Sequence, residues 1–97
     1  MIQSFADSAT EAIYSGHNTK ASRRACPRLL WDVARRKLDQ LDQASSLRDL
    51  TRLPGNRLQR LSGARRGQYS MRINEQYRLC FRWTSHGPEN VEITDYH

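Results

Sequence analysis

The chain has 97 residues, with 16 Lys and Arg against 10 Asp and Glu, and a net charge of +6. We expect one domain over residues 1–97 with a single small core, which excludes a second independently folded domain. So basic a balance indicates a polyanionic partner such as nucleic acid. No apolar run is long enough for a membrane span and no leader pattern opens the chain, which predicts a cytoplasmic protein without a membrane partner.

The cysteine and histidine content argues against a disulfide bond or a metal site. Cys26 and Cys80 are the two cysteines, and both are expected to remain buried thiols. The histidines, His17, His86 and His97, are far apart in the sequence and show no metal-ligand spacing with the cysteines. We therefore expect neither a disulfide nor a bound metal.

The first predicted elements are a strand and a helix. Residues 2–5 are predicted to form a short strand. Ser8 and Glu11 match a capping box, in which each side chain satisfies a free backbone N–H at the start of a helix. Gly16 can end that helix in the left-handed conformation. Residues 17–24 are polar and basic with no apolar period, which predicts a loop.

A second helix is predicted to begin at Pro27, whose missing N–H costs nothing in a first turn. Apolar side chains then recur at helical spacing, at Leu30, Val33, Ala34, Leu38 and Leu41. The helix is expected to fade at residues 44–46. Leu47 and Leu50 should anchor the connector that follows, and residues 54–56 are a turn signal.

The second half of the chain has the two-residue period of strands. Strands are predicted at residues 58–61, 69–73, 77–83 and 91–95, separated by turn sequences. Asp95 lies in phase with Val91 and Ile93 on the last strand. The predicted order is β-α-α-β-β-β-β, an α+β fold with two N-terminal helices packed on one face of a mainly antiparallel sheet.

Arginines are concentrated between residues 52 and 82, where eight arginines accompany one acid, Glu75, and no lysine. A planar guanidinium matches two phosphate oxygens at once. If Tyr77 and Leu79 face the helices, alternation turns Arg78 to the other face, where a phosphate backbone could lie. The other expected RNA-binding residues are Arg57, Arg60, Arg65, Arg66, Arg72 and Arg82. The alternative is a charged sheet edge that only keeps the protein soluble.

The chain ends in Asp95, Tyr96 and His97, three titratable side chains directly after a strand. His97 can exchange a proton near neutral pH, because histidine has an ordinary pKa of about 6.5. Tyr96 can donate a proton, and Asp95 can orient His97 or pair with an arginine. A frayed polar tail is the alternative interpretation, and the residues alone leave both open.

Five stretches are typical of one known family: residues 1–5, 61–70, 72–74, 77–83 and 91–97. The combination of a Tyr77-Arg78-Leu79 strand with a terminal Asp95-Tyr96-His97 is the most specific of these features. On these residues the chain resembles HigB-type toxins of bacterial type II toxin–antitoxin pairs, within the RelE/ParE-like superfamily. The resemblance covers the whole length of the chain.

The resemblance implies a RelE-like α+β toxin that enters the ribosomal A site and cuts translated mRNA there, without a metal or another cofactor. The ribose 2′-OH would attack the adjacent phosphorus, leaving a cyclic phosphate and a free 5′-OH. Arg78 is expected to stabilise charge on the phosphoryl group. Asp95, Tyr96 and His97 are expected to form the catalytic cluster, with Tyr96 or His97 moving protons.

The resemblance also implies partners and reveals one departure. Expected partners are a cognate HigA-like helix-turn-helix antitoxin, the ribosome and its mRNA, and operator DNA only indirectly through the antitoxin complex. Family members can carry a His and a Lys in the strand and turn before the central glycine, where Gln59 and Ser62 stand here. A proton donor or phosphate contact is therefore missing, which places more of the chemistry on Tyr96 and His97.

Two other functions fit parts of the sequence. A non-catalytic RNA- or ribosome-binding module would block translation by occupancy and needs the arginines alone. A relative that inhibits gyrase would use the same fold, because a fold does not fix a function. The terminal Asp95-Tyr96-His97 argues against the second, since inhibition by docking needs no proton-transfer cluster.

Overall fold

The computed structural model describes residues 1–95, with helices in the first half and strands in the second. The helices are α1 Ser8–Ser15, α2 Lys20–Ala25, α3 Trp31–Gln43 and α4 Leu47–Thr51, with 3-10 turns at Arg28–Leu30 and Gly63–Arg65. The strands are β1 Gln59–Arg60, β2 Tyr69–Arg72, β3 Tyr77–Thr84 and β4 Gly87–Asp95. The predicted α+β class is confirmed, although several individual elements differ.

Helix α1 is capped one residue earlier than the sequence predicted. The side chain of Asp7, the N-cap residue, accepts a hydrogen bond from the backbone N–H of Thr10 at 2.7 Å. The predicted Ser8–Glu11 capping box is therefore wrong, because the Asp7 carboxylate holds the capping position and Ser8 already lies inside the helix. Gly16 ends the helix with φ 81, the left-handed conformation that was predicted.

The predicted loop at residues 17–24 is wrong, because most of it belongs to α2. Thr19 and Ser22 cap each other: the Ser22 N–H donates to Thr19 Oγ1 at 3.0 Å, and the Thr19 N–H donates to Ser22 Oγ at 2.8 Å. This reciprocal capping stabilises a short helix that lacks an apolar period. The connector containing Leu47 and Leu50 is likewise helical, as α4.

The predicted strand at residues 2–5 is also wrong. Phe5 forms an isolated parallel bridge with Val91. Backbone hydrogen bonds tie the segment to the edge of β4, from Ala6 N–H to Val91 O at 2.9 Å and from Val91 N–H to Ser4 O at 3.1 Å. The N-terminal segment therefore covers the β4 edge of the sheet without forming a regular strand of its own.

The described part of the chain forms a four-stranded antiparallel sheet in the order β1-β2-β3-β4. Register places Met71 opposite Leu79 and Arg72 opposite Arg78 in the β2–β3 pair. A register shift between Cys80 and Arg82 interrupts the β3–β4 pair. Such a bulge increases the local twist of the strands.

The hydrophobic core lies between the helices and one face of the sheet. Its members include Ile13, Ala34, Leu38, Leu41, Met71, Tyr77, Leu79, Phe81, Val91 and Ile93. Burial of each leucine stabilises the fold by about 1.5–3 kcal/mol. The predicted inward positions of Tyr77 and Leu79 are confirmed, and Phe81 lies in the core with them. Arg78 and Cys80 on β3 therefore face the other side of the sheet. This outer sheet face is defined by Ser70, Arg72, Arg78, Cys80 and Glu92.

Both tryptophans contribute to packing. Trp31 belongs to the core, and its indole N–H donates to the Cys26 carbonyl at 2.9 Å. Trp83 is half-buried and packs against the same core. Among residues 1–95, no helix combines the length and apolar character needed to cross a bilayer.

Candidate nucleic-acid interface

The outer sheet face and the β1 edge frame a cleft of about 280 Å³, here called the arginine cleft. It is lined by Arg57, Gln59, Arg72, Asn74, Glu75 and Arg78. Three guanidinium groups therefore share one concave surface, and of these lining residues Glu75 alone carries a negative charge. Converging cations in a concavity raise the local positive potential and favour a bound polyanion.

Arg78 is fixed in this cleft by two hydrogen bonds. Its Nε donates to Ser70 Oγ at 2.8 Å, and its Nη2 donates to the backbone carbonyl of Arg57 at 2.7 Å. Ser70 is fully buried on the neighbouring strand. Because both acceptors belong to the protein framework, the guanidinium is held in one orientation before any ligand arrives, as electrostatic preorganisation requires.

Arg57 and Arg72 complete the positive lining. Arg57 has φ 44, a left-handed conformation that is uncommon for a residue with a side chain. This conformation accompanies the presentation of its carbonyl oxygen to Arg78. Arg72 lies directly opposite Arg78 in the β2–β3 ladder, so the two side chains share the outer face.

A second basic concavity of about 270 Å³ lies beside the same edge strand. It is lined by Arg60, Leu61, Arg66, Gly67 and Tyr69, and the Arg60 guanidinium lies 5.9 Å from the centre of the Tyr69 ring. Arg60 pairs with Tyr69, whereas Gln59 pairs with Ser70. Alternation therefore directs Gln59 and Arg60 to opposite faces of the sheet, so the arginine cleft and this Arg60–Tyr69 pocket flank β1.

The remaining predicted RNA-binding arginines differ from these. Arg65 Nη1 donates to Glu92 Oε1 at 2.6 Å and to Gln68 Oε1 at 3.0 Å, so its charge is largely balanced. Arg82 is exposed, with its guanidinium next to the turn glycine Gly67. The seven arginines expected to bind phosphate or RNA are thus divided: three line the arginine cleft, two line the Arg60–Tyr69 pocket, Arg65 forms an ion pair, and Arg82 is exposed.

Asp95 and Arg78, both predicted to be catalytic residues, lie on different sides of the sheet. Asp95 pairs with Tyr77, a core residue, whereas Arg78 pairs with Thr94. Gln76 Nε2 donates to both carboxylate oxygens of Asp95, at 3.2 and 3.3 Å. Burial and the Asp95 charge raise the pKa of the Tyr77 hydroxyl, as expected if the carboxylate is on the Tyr77 side. Tyr96 and His97 lie outside the described residues.

The family model for the RelE-like toxin of the type II toxin–antitoxin system HigB matches residues 3–97. The chain belongs to this family. Toxin HigB-1 of Vibrio cholerae is 43% identical over 60 residues, covering 62% of this chain and 63% of the relative. An uncharacterized protein of Haemophilus influenzae is 34% identical over 67 residues, covering 69% of this chain and 66% of that protein. The chain thus spans 63% and 66% of the lengths of these two relatives.

A solved structure, the YoeB–YefM complex from Staphylococcus aureus, contains a chain of similar fold. The TM-score is 0.60 at 16% identity, and the match covers 100% of this chain and 95% of that one. At this identity the likeness concerns the fold alone. It agrees with the predicted RelE-like arrangement of helices on one face of an antiparallel sheet.

The two positions predicted to depart from the HigB pattern, Gln59 and Ser62, lie in different surroundings. Gln59 lines the arginine cleft, where its amide can donate or accept a hydrogen bond but cannot exchange a proton at neutral pH. Ser62 is exposed, directly before the 3-10 turn Gly63–Arg65. Within the described residues, no group of three His, Cys, Asp or Glu side chains could hold a metal ion.

The sequence analysis did not identify Ser70 and Asn74, which position residues of the arginine cleft in this HigB-family chain. Ser70 alternates to the same face as Arg72, which was a usable signal for a partner of Arg78. Asn74, a cleft residue, also accepts hydrogen bonds from the backbone N–H groups of Gln76 and Tyr77, at 2.9 and 2.7 Å. Its role in the turn could be predicted from residue type, but its place in the cleft depends on long-range packing.

Proposed function

We propose that this HigB-family toxin is a ribosome-dependent endoribonuclease that cuts translated mRNA in the A site without a metal ion. The observation that carries the proposal is the Arg78 guanidinium, held by Ser70 and the Arg57 carbonyl inside an open cleft that Arg57 and Arg72 also line. A phosphodiester in this cleft would meet fixed positive charge where negative charge develops during cleavage.

The proposed reaction is an intramolecular displacement within the RNA. The ribose 2′ oxygen forms a bond to phosphorus while the bond from phosphorus to the 5′ oxygen breaks. The products are a 2′,3′-cyclic phosphate and a free 5′-OH. A base removes the proton of the 2′-OH, and an acid supplies a proton to the departing 5′ oxygen.

The proposed residue roles follow from chemistry and position. Arg78 would stabilise the charge on the phosphoryl oxygens, as guanidinium groups do for phosphates. Tyr96 and His97 would move the two protons. Asp95, on the Tyr77 side of the sheet, would orient a neighbouring side chain and not touch the phosphate.

The proposed RNA path passes around the edge strand β1. The reacting phosphate occupies the arginine cleft, and a flanking nucleotide occupies the Arg60–Tyr69 pocket on the other side of β1. Arg60, backed by the Tyr69 ring, offers a guanidinium plane on which a base can stack, and Arg66 offers a phosphate contact. Arg65 and Arg82 would add weaker electrostatic attraction at the rim.

The proposed partners are those of a toxin that is kept inactive until needed. A HigA-like helix-turn-helix antitoxin would neutralise it, and operator DNA would be bound only through that complex. The structural neighbour YoeB is itself in complex with YefM. Action on translating ribosomes would place the protein in the cytoplasm.

The test is to map mRNA 5′ ends by primer extension after brief induction of the toxin. We expect new ends within translated codons for the parent, and their loss in Arg78→Ala and in His97→Ala. Arg48→Ala removes an exposed arginine on α4 and is the matched control for lost positive charge. Unchanged cleavage in both active-site variants, at equal expression, would overturn the catalytic assignment.

A second candidate function needs only the arginine cleft and no proton transfer. If the cleft binds RNA without the proton-transfer residues reaching the phosphate, the protein would block translation by occupying its site. Translation would then stop without new mRNA 5′ ends, and Arg78→Ala would relieve the arrest while His97→Ala would not. The same primer-extension experiment therefore separates the two functions.

A further inference from the structure

Lys37 is a buried lysine on α3, with 8% of its surface exposed. Its Nζ donates to Asn56 Oδ1 at 2.5 Å, which joins the helical layer to the residue directly before Arg57. Most lysines keep the ammonium group in water, because a buried charge costs several kcal/mol of stability unless it is compensated. The position of this ammonium therefore needs an explanation beyond packing.

Asn56, the acceptor, is fully buried and has its polar groups in use. Its Nδ2 donates to the Leu50 carbonyl at 3.1 Å, and its backbone N–H donates to the Leu53 carbonyl at 3.2 Å. Its backbone carbonyl accepts from the Arg72 N–H at 2.6 Å. Asn56 thus connects α4, the following turn and strand β2, and Lys37 adds α3 to the same junction.

The junction leads directly to the arginine cleft. Asn56 directly precedes Arg57, so its hydrogen bonds hold the backbone that leads into Arg57. The carbonyl oxygen of Arg57, whose backbone is left-handed, accepts a hydrogen bond from Arg78 Nη2 at 2.7 Å. Asn56 also holds the backbone of Arg72, the cross-strand partner of Arg78. We propose that Lys37 is a positioning residue that, through Asn56, sets the orientation of the Arg78 guanidinium.

Energetics favour a positioning role over a stabilising one. Within the described residues Lys37 forms no ion pair with a carboxylate. Burial and the positive charges of Arg36 and Arg72 lower its pKa, so the protonated ammonium is disfavoured where it lies. An apolar side chain of similar length would avoid the cost of burying a charge. What an apolar side chain could not do is donate to Asn56 Oδ1.

The structural part of this inference can be tested without RNA. Heteronuclear NMR of the folded protein reports the Nε–Hε signal of Arg78, which the hydrogen bond to Ser70 protects from exchange. Lys37→Met is expected to shift and broaden this signal, and Ser70→Ala, which removes the acceptor itself, is the positive control. Arg36→Met is the matched negative control, since it removes a positive charge from the exposed neighbouring position of α3.

The functional part rests on the proposed function. Lys37→Met is expected to lower the cleavage rate at saturating substrate by about 10- to 100-fold, as misplacement of a charge-stabilising group does, with little change in KM. Lys37→Gln retains a donor and is expected to keep both the signal and the rate closer to those of the parent. If Lys37→Met does not fold, Lys37→Ala, which also lacks a donor, is the test variant.

The outcomes separate the two proposals. A native Arg78 signal in folded Lys37→Met or Lys37→Ala, or an equal disturbance in Arg36→Met, would overturn the positioning role. A disturbed signal in Lys37→Met, with no RNA cleavage by the parent protein, would instead support the positioning of Arg78 and count against the nuclease.

Discussion

Arg72 and Arg78 lie directly opposite each other across the β2–β3 ladder, on the sheet face that carries the arginine cleft. Like charges in this relationship destabilise a sheet by roughly 0.2–1 kcal/mol. For Arg78, this energetic cost is offset by its hydrogen bonds to Ser70 Oγ and the Arg57 carbonyl. A phosphate placed between the two guanidinium groups would relieve their repulsion, so the pair links the stability of the fold to anion binding.

Arg72→Gln and Arg78→Gln are expected to change stability in opposite directions. Arg72→Gln removes the repulsion and should raise the free energy of unfolding by about 0.5 kcal/mol. Arg78→Gln also leaves the buried Ser70 hydroxyl without its donor, so it should lower the free energy of unfolding by about 1–2 kcal/mol. Both should weaken RNA binding. Urea denaturation measures the first two values, and equal stability changes would refute this account of the pair.

The strand alternation could be predicted because a period of two depends on neighbouring residues alone. It correctly placed Tyr77 and Leu79 in the core and Arg78 on the outer face. It also put Asp95 in phase with Ile93, on the helix side of the sheet, where the structure places it. The prediction that Asp95 and Arg78 both take part in catalysis came from the family resemblance and not from register.

The features that the sequence did not predict depend on capping or on contacts between distant segments. Helix α2 escaped prediction because capping by Thr19 and Ser22, and not an apolar stripe, stabilises it. The Lys37–Asn56 hydrogen bond joins residues 19 positions apart, and no periodicity signals it. Division of the arginines between two concavities likewise follows from the short β1 strand, whose neighbouring residues face opposite ways.

Glu92→Gln is expected to increase RNA affinity while lowering stability. Its carboxylate lies 2.6 Å from Arg65 Nη1, and both side chains are about one quarter to one third exposed, at 26% and 31%. Loss of such a partly exposed pair should cost about 0.5–1 kcal/mol. Arg65 could then contact a phosphate, making the salt dependence of single-strand RNA binding steeper by about 0.7 in log–log slope.

The control for this charge change is Glu11→Gln, on an exposed position of α1 away from the outer face. It changes the net charge equally but releases no arginine. Binding titrations at several salt concentrations measure the slope for each variant. If both variants gained the same affinity and slope, the effect would reflect net charge and not the Arg65–Glu92 pair.

Thr10→Val is expected to weaken the docking of α1 on the sheet. Thr10 is fully buried, and its Oγ1 accepts a hydrogen bond from the Ile93 N–H at 3.0 Å. Valine keeps the shape but leaves that N–H unsatisfied, which should cost about 1–3 kcal/mol. Thr10→Ser keeps the acceptor and loses one methyl group, about 1 kcal/mol. Faster hydrogen exchange at Ile93 in Thr10→Val, but not in Thr10→Ser, would identify the lost bond as the cause.

Cys26 is expected to make the fold less stable at alkaline pH. It is fully buried beneath the helices, and burial raises the pKa of its thiol from 9.0 to about 11. Between pH 9.0 and about 11, the thiol is ionised in the unfolded chain and neutral in the folded protein. Unfolding therefore releases a proton, and a rise in pH favours the unfolded state. The stabilising contribution is complete below pH 9.0 and is lost as pH rises through about 11.

Cys26→Ala should therefore remove part of the alkaline decline in stability. Over this pH range the free energy of unfolding of the parent should fall relative to the variant by up to about 1.4 kcal/mol per pH unit. Tyr14 and Lys37 also have shifted pKa values and are present in both proteins, so their effects cancel in the difference. Besides burial and the Asp95 charge, the Cys26 charge raises the pKa of Tyr77, so this coupling is part of the measured difference. Urea denaturation of both proteins at intervals from pH 8 upward measures the difference in their free energies of unfolding. Parallel curves for parent and variant would mean that the Cys26 thiol ionises alike in the folded and unfolded chains, and the expected pH dependence would be wrong.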